Sequence, residues 1–237
     1  MSSKVLRKLA RRPVFIFDLF HTLSTLHHAG IEGPNLFELL GASREQVNDA
    51  LFSDSEARLK GYISEPPEVI ADIAARCGVS LSSAQCAEYA AIRADRFSAS
   101  LREVAPETLA TLDCLRRSGK RLALISNADV IEAFGWDSCP LAERFEVAII
   151  SCHVGLAKPE PEIYRLCMDQ LAVTADECVF IGDGGSNEFH GARRCGIPTI
   201  CTTEFIRDIF PGRVSRHTAA ADCSVAALSE LCAAVEE

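Results

Sequence analysis

The feature that most constrains this chain is a series of short, unbroken apolar runs, each followed at once by a polar or glycine-bearing loop. They are "VFIF" (14–17), "LALI" (122–125), "VAII" (147–150) and "CVFI" (178–181), with "PTIC" (198–201) as a fifth and a weaker sixth around Cys223 to Val225. An unbroken apolar run suits a strand covered on both faces, as in a parallel sheet. Helical patterns separate the runs. "PETLATLDCLRRSGK" repeats Leu109, Leu112 and Leu115 and stops at Gly119. "PEPEIYRLCMDQL" sets Ile163, Leu166, Cys167 and Leu171 on one face, and "SNEFHGARRCG" opens with a Ser/Asn cap signal and closes at Gly196. The alternation predicts an α/β fold, a Rossmann-like doubly wound parallel sheet. Ligands of such sheets bind at the carboxyl ends of the strands.

Residues 24–104 break the alternation. "SREQVNDALF", "PPEVIADIAARCG" and "LSSAQCAEYAAIRADRFSASL" all read as helices, the last capped by Ser82 or Ser83, and no convincing strand intervenes. The expected organisation is therefore an α/β core from residues 1–23 plus 105–237, with an inserted helical cap domain at 24–104.

Composition narrows the function. Apolar residues make up 48% of the 237 and charged residues 24%, which suits a globular chain with a sizeable core. The formal charge of -9 disfavours nucleic acid and anionic membrane surfaces as partners, and no apolar run approaches membrane-spanning length. The start "MSSKVLRKLARRP" is basic, but the apolar run behind it is short and broken by Asp18, so it reads as a solvated lead-in and not a signal peptide. A cytoplasmic location is the expectation, with the chain a monomer or homodimer. Eleven cysteines without a CxxC pair read as reduced, mostly buried thiols.

Each strand end delivers a distinctive polar residue. "VFIF" delivers Asp18. "LALI" delivers Ser126-Asn127. The loop after "VAII" supplies Lys158, and "GDGGSNE" after "CVFI" supplies Asp183 and Glu188. A parallel sheet would bring them to one edge. That set suits phosphoryl transfer through an aspartyl-phosphate. Asp18 would attack phosphorus. Ser126, with backbone N–H groups near Asn127, would hold phosphate oxygens. Lys158 would offset negative charge, and Asp183 would bind Mg²⁺, a hard cation that takes carboxylates, waters and phosphate oxygens.

With "FDLFHTL", "ISN", "GLAKPEPEIY" and "IGDGGSNE" in that order, the sequence resembles the haloacid dehalogenase-like superfamily of hydrolases, in the subgroup whose helical cap lies between the first and second motifs. The resemblance implies Asp18 as nucleophile, Ser126 and Lys158 at the phosphate site, and Asp183 as a Mg²⁺ ligand. It implies that the residue two after the nucleophile, here Phe20, binds the metal through its backbone carbonyl. Glu188 stands where many members place a further acid that orients the lysine or metal-bound water; alternatively it is a first-turn helix acid.

Phe20 is where the sequence departs from the family's phosphatases. They carry there a second aspartate that protonates the leaving group and then activates water, a term worth roughly 10²–10⁴-fold in rate. His21, at a position where the family usually has glycine, is a candidate substitute, or else packs against the cap. In the cap, His27, His28, Asn35, Arg93 and Arg96 are candidate substrate contacts beside the alternative of a solvated surface. The expected substrate is a small phosphorylated metabolite. Dehalogenation, in which halide leaves without a proton, stays open, as does a catalytically weak protein that binds a phosphorylated ligand.

Overall fold

The computed structural model describes residues 2–27 and 31–236. Six strands form one parallel sheet: β1 (Val14–Phe17), β2 (Arg121–Ser126), β3 (Val147–Ile150), β4 (Cys178–Gly182), β5 (Thr199–Thr202) and β6 (Cys223–Val225), in the order β3-β2-β1-β4-β5-β6. Strand β1 is central. Phe17 pairs with Leu124 on one side and Ile181 on the other. All four side chains of β1 are fully buried, because both faces of the sheet are covered.

Alternation along the strands divides the core. Phe15, Phe17, Leu122, Leu124, Val179 and Ile181 face one layer, which includes Leu112 and Leu115 of helix Pro106–Arg117 and Leu231 of helix Ser229–Glu236. Val14, Ile16, Ala123, Ile125, Cys178 and Phe180 face the other, packed on helices Pro161–Leu171 and Glu188–Arg194. Two faces covered by helices make the doubly wound architecture that the apolar runs predict.

The basic start is not a mere lead-in. Ser2–Ala10 is a helix whose Leu6, Leu9 and Ala10 are buried in the first layer, while Lys4, Arg7 and Lys8 are exposed. The i, i+3, i+4 spacing of its apolar residues builds a narrow stripe that the surrounding cations mask in the sequence. Two further details differ from expectation. Leu109 is only partly buried, and Thr108 and Thr111 complete the stripe of its helix with Leu112 and Leu115. Ser186 and Asn187 make no side-chain cap; both adopt left-handed backbone, φ +51°, in the turn that leads into Glu188.

Between β1 and β2 the chain forms helices Leu36–Leu40, Arg44–Phe52, Glu56–Leu59, Pro66–Arg76 and Ser83–Arg102, with no strand among the described residues there. Ser43 and Ser82 cap their helices through the N–H groups of Gln46 and Gln85. Leu36, Leu40, Val47, Val69, Ile70 and Ile73 form an apolar cluster in this insert that also takes in Ile131 from the segment after β2. Arg58 is buried inside it, paired with Asp72 and donating to the carbonyls of Ala50 (3.0 Å) and Leu51 (2.8 Å), so that a helix end and a buried charge satisfy each other. None of the described helices is long and apolar enough to cross a membrane. The eleven cysteines are all free; six are buried, while the other five, Cys77, Cys114, Cys152, Cys195 and Cys232, are only partly so.

Leu9→Ala is expected to destabilise the protein by about 2–4 kcal/mol, the cost of truncating a buried leucine. A urea titration checks this; a solvated lead-in would leave the midpoint unchanged.

Candidate active site

The carboxyl ends of β1, β2 and β4 are where the chemistry-bearing residues meet. Asp18 continues β1, its N–H donating to Ile181 O at 2.9 Å, so the strand ladder itself fixes the residue's backbone. Its carboxylate is buried and accepts from Lys158 Nζ at 2.5 Å and from Thr22 Oγ1 at 3.0 Å. Thr22 was not singled out by the sequence; its signal is a hydroxyl four residues after the aspartate, in a loop that folds back on itself.

Lys158 is buried between two acids. Its ammonium lies 2.7 Å from Glu188 Oε2, opposite Asp18. Glu188 is held in turn by the Gly184 N–H at 2.8 Å, and Tyr164 donates to its carbonyl at 2.7 Å. Its carboxylate lies against Gly182, where an added Cβ would sit 2.1 Å from Glu188 Oε1; the glycine at the end of β4 makes room for the acid. Glu188 does stand in the first turn of its helix, but its side chain serves Lys158. Burial alone would lower the Lys158 pKa. The charges of Asp18 and Glu188 raise it above the usual lysine range, so the ammonium stays charged.

Asp183 follows β4. Its Oδ1 accepts the Gly185 N–H at 2.8 Å, and its carbonyl accepts from His217 Nδ1 at 2.7 Å. Carboxylate oxygens of Asp18, Asp183 and Glu188 lie within 4.8 Å of one another. Burial and then the charge of Asp18 push Asp183 up to about 6, and burial raises Glu188 well above the carboxylate range. Three acids stand here against one cation, Lys158. An all-oxygen set of this kind fits a hard divalent cation such as Mg²⁺. The Phe20 carbonyl is consistent with that fit: among the described residues it accepts no hydrogen bond.

Ser126 ends β2 fully buried, and its Oγ has no hydrogen-bond partner among the described residues. A buried hydroxyl left unpaired is costly, so this one is suited to an incoming oxygen. The Asn127 side-chain amide donates to Lys158 O at 2.9 Å and accepts the Lys158 N–H at 2.8 Å, which commits the side chain to the lysine's loop; the role expected near this residue is one for backbone N–H groups.

The Phe20 ring meets Phe97 of the long insert helix edge-on, centroids 5.3 Å apart. His21 has φ +61°, the left-handed backbone that explains why glycine suits this position. It packs partly on the first residues of the insert, with Thr25 Oγ1 3.3 Å from its Nδ1. Its ring lies 5.3 Å from Phe210, in the segment after β5, and 5.9 Å from His27. Burial, with His27 and Arg213 against the opposing pull of Asp18, lowers His21 to about 4. At neutral pH it is therefore the uncharged imidazole, a poor general acid.

The insert candidates are engaged internally. Arg93 is buried, pairs with Glu132 at 2.6 Å and stacks over Phe97. Arg96 donates to Asn35 Oδ1 at 3.0 Å and to the carbonyls of Glu32 and Gly33. His28 lies outside the described residues.

A parallel α/β sheet with a lysine-paired aspartate and a second acid at its carboxyl edge defines a class of hydrolases. The sequence matches the family model for haloacid dehalogenase-like hydrolases over residues 14–196, and the chain belongs to that family. Curated relatives include a phosphoserine phosphatase of Thermus thermophilus, 30% identical over 103 residues (43% of this chain, 41% of that protein). A glyceraldehyde 3-phosphate phosphatase of Pyrococcus abyssi is 31% identical over 103 residues, 42% of each. The bifunctional epoxide hydrolase 2 of Rattus norvegicus is 35% identical over 91 residues, 36% of this chain and 16% of that protein. The matched regions thus span well under half the length of these relatives. Among solved structures, a HAD family enzyme of Bacteroides thetaiotaomicron, in complex with magnesium and inorganic phosphate, shares the fold with a TM-score of 0.57 (22% identity; 81% of this chain, 94% of that one). A 2-haloacid dehalogenase of Pseudomonas syringae does so with a TM-score of 0.61 (20% identity; 95% and 98%).

The acidic cluster makes a checkable statement about Mg²⁺. Without metal, a carboxyl whose folded pKa is raised binds more protons than its unfolded form. The Asp183 contribution therefore weakens the fold as pH rises from about 4 to about 6. Wild type should lose stability across that window relative to Asp183→Asn. Mg²⁺ at about 100 times its Kd should restore about 2.7 kcal/mol to the wild type at pH 7 and little to the variant. Thermal unfolding without substrate measures both.

Proposed function

We propose that the protein is a Mg²⁺-dependent phosphohydrolase that acts on a small phosphorylated compound through an aspartyl-phosphate on Asp18. The observation that carries this reading is the Asp18–Lys158–Glu188 arrangement beside Asp183: a nucleophile, its counter-cation and an acidic oxygen cluster at one sheet edge. The phosphatases among its relatives support the same class.

Bound Mg²⁺, held by Asp18, Asp183 and the Phe20 carbonyl, would supply charge neutralisation for the phosphate. The chain's own groups do the rest. Asp18 Oδ attacks phosphorus and the ester oxygen departs. Lys158 stabilises the charge shared between nucleophile and phosphate oxygens, and Ser126 Oγ donates to one of them. Glu188 keeps the lysine charged and in place. Asn127 fixes the backbone that carries it. Water then cleaves the aspartyl-phosphate, with neutral His21 the nearby base able to accept a proton.

The leaving group receives no proton from Phe20, so the reading favours substrates whose leaving oxygen is already weakly basic or carries its own proton source. Phe20 also suits a halide leaving group, which needs no proton. That second reading, dehalogenation, lacks a use for the metal-suited cluster.

The test is phosphate release with and without Mg²⁺ from an aryl phosphate and from alkyl phosphates. Mg²⁺-dependent release from the aryl ester is expected, abolished in Asp18→Asn. No release from any ester, with halide freed from a 2-haloacid, would replace this reading with dehalogenation. Phe20→Asp is expected to raise alkyl-ester turnover relative to aryl-ester turnover by about 10²-fold. An unchanged ratio would show that the missing acid is supplied elsewhere.

A further inference from the structure

Lys60 and Gly61 stand directly after helix Glu56–Leu59 in the insert, yet they touch the loop that carries Lys158. The Lys60 ammonium is 11% exposed and lies 2.7 Å from Glu56 and 2.5 Å from Glu160, a hundred residues further along the chain. Glu160 Oε2 accepts the Ala157 N–H at 3.1 Å, and the Glu160 N–H donates to Ala157 O at 2.9 Å. Glu160 therefore closes the turn 157–160, which has Lys158 inside it. The next residue, Gly61 (φ +72°), lies so close to Cys152 that an added Cβ would sit 2.2 Å from its carbonyl oxygen. Cys152 follows Ser151, whose Oγ accepts the Ala128 N–H at 3.0 Å and donates to Ala128 O at 3.2 Å. One short stretch of the insert thus touches the segment 152–160 that carries Lys158, and Ser151 ties that segment to the loop after Ser126.

We propose that Lys60 is a positioning residue: through Glu160 it holds the turn 157–160 so that Lys158 Nζ sits between Asp18 and Glu188, which makes the cation's placement depend on the seating of the insert. The inference rests on the reading of Lys158 as the phosphate-site cation. The Lys158 backbone is tied on one side by Asn127. On the other side the tie is Glu160, whose side chain is 35% exposed and has Lys60 as its counter-charge. A partly exposed ion pair contributes little to stability, but this one acts on a loop whose position decides a 2.5 Å contact. A misplacement of about 1 Å in a reacting constellation costs up to about 10²-fold in rate.

The test uses the full chain with Mg²⁺ and an aryl phosphate, with melting temperature measured in parallel. Lys60→Met and Glu160→Gln are each expected to lower kcat about tenfold while KM moves less than about threefold, and the double variant should be no worse than either single. Lys60→Arg should stay within about threefold of wild type, and Glu56→Gln, which leaves the bridge to Glu160, should not change kcat. A lower melting temperature with unchanged kcat would overturn the proposal by reducing the pair to a structural tie. So would losses that multiply in the double variant. If wild type releases no phosphate, the hydrolase reading fails separately. The pair is then read by calorimetry with inorganic phosphate and Mg²⁺: about tenfold weaker binding in Lys60→Met supports the positioning role, and equal or absent binding overturns it.

Discussion

The interaction on which the site depends is the buried ion triad of Lys158 between Asp18 and Glu188. A lysine taken out of water strongly disfavours its charged form unless anions surround it. Here two carboxylates do so, and each is placed by a different strand end. Removing either acid would leave an under-compensated cation; removing the lysine would leave three carboxylate groups clustered without their nearest countercharge. The triad therefore couples β1, the 157–160 turn and the start of helix Glu188–Arg194. Much of the local architecture serves it: Gly182 makes space, the Gly184 N–H and Tyr164 hold Glu188, and Asn127 holds the Lys158 backbone.

The six strands are legible in the sequence because a strand buried on both faces has no room for polar side chains, and the chain's unbroken apolar runs advertise that. Their ends are less legible: β2 extends one residue beyond "LALI" at each end, and β5 is shifted by one from "PTIC". The strand-end residues Asp18, Ser126, Lys158 and Asp183 follow from the sheet, since parallel strands deliver their carboxyl ends to one edge. What hides is what depends on contact across the chain. The first helix looks like a basic tail because three buried residues are outnumbered by cations. Arg93 and Arg96 look like ligands for a substrate because sequence cannot show that Glu132 and the 32–35 loop already occupy them. Lys60 and Glu160, separated by a hundred positions, have no local signal at all.

The insert meets the core on two sides of the site. On one side the Phe20–Phe97 contact is apolar and sits at the position where the family's phosphatases place an acid. On the other the Lys60–Glu160 pair is ionic and reaches the cation's loop. Additional ties reach the segment after β2: Arg93 pairs with Glu132 at 2.6 Å, and Gly135 approaches Ser98 closely. These contacts tie the insert to the loops after β1, β2 and β3.

That arrangement gives Phe20 a physical rationale beyond the loss of an acid. A carboxylate at this position would stand in a region that already holds three, two of them with raised pKa. It would also replace an aromatic contact with Phe97 by a charge requiring solvation. Under the proposed mechanism, phenylalanine trades leaving-group protonation for an apolar seam between the insert and the loop of Asp18. A site of that kind would keep its nucleophile while leaving proton transfer to the substrate, to water or to His21. Its selectivity should therefore follow the leaving group's basicity more steeply than in a phosphatase with both aspartates, because the charge that develops on the departing oxygen has no acid to meet it.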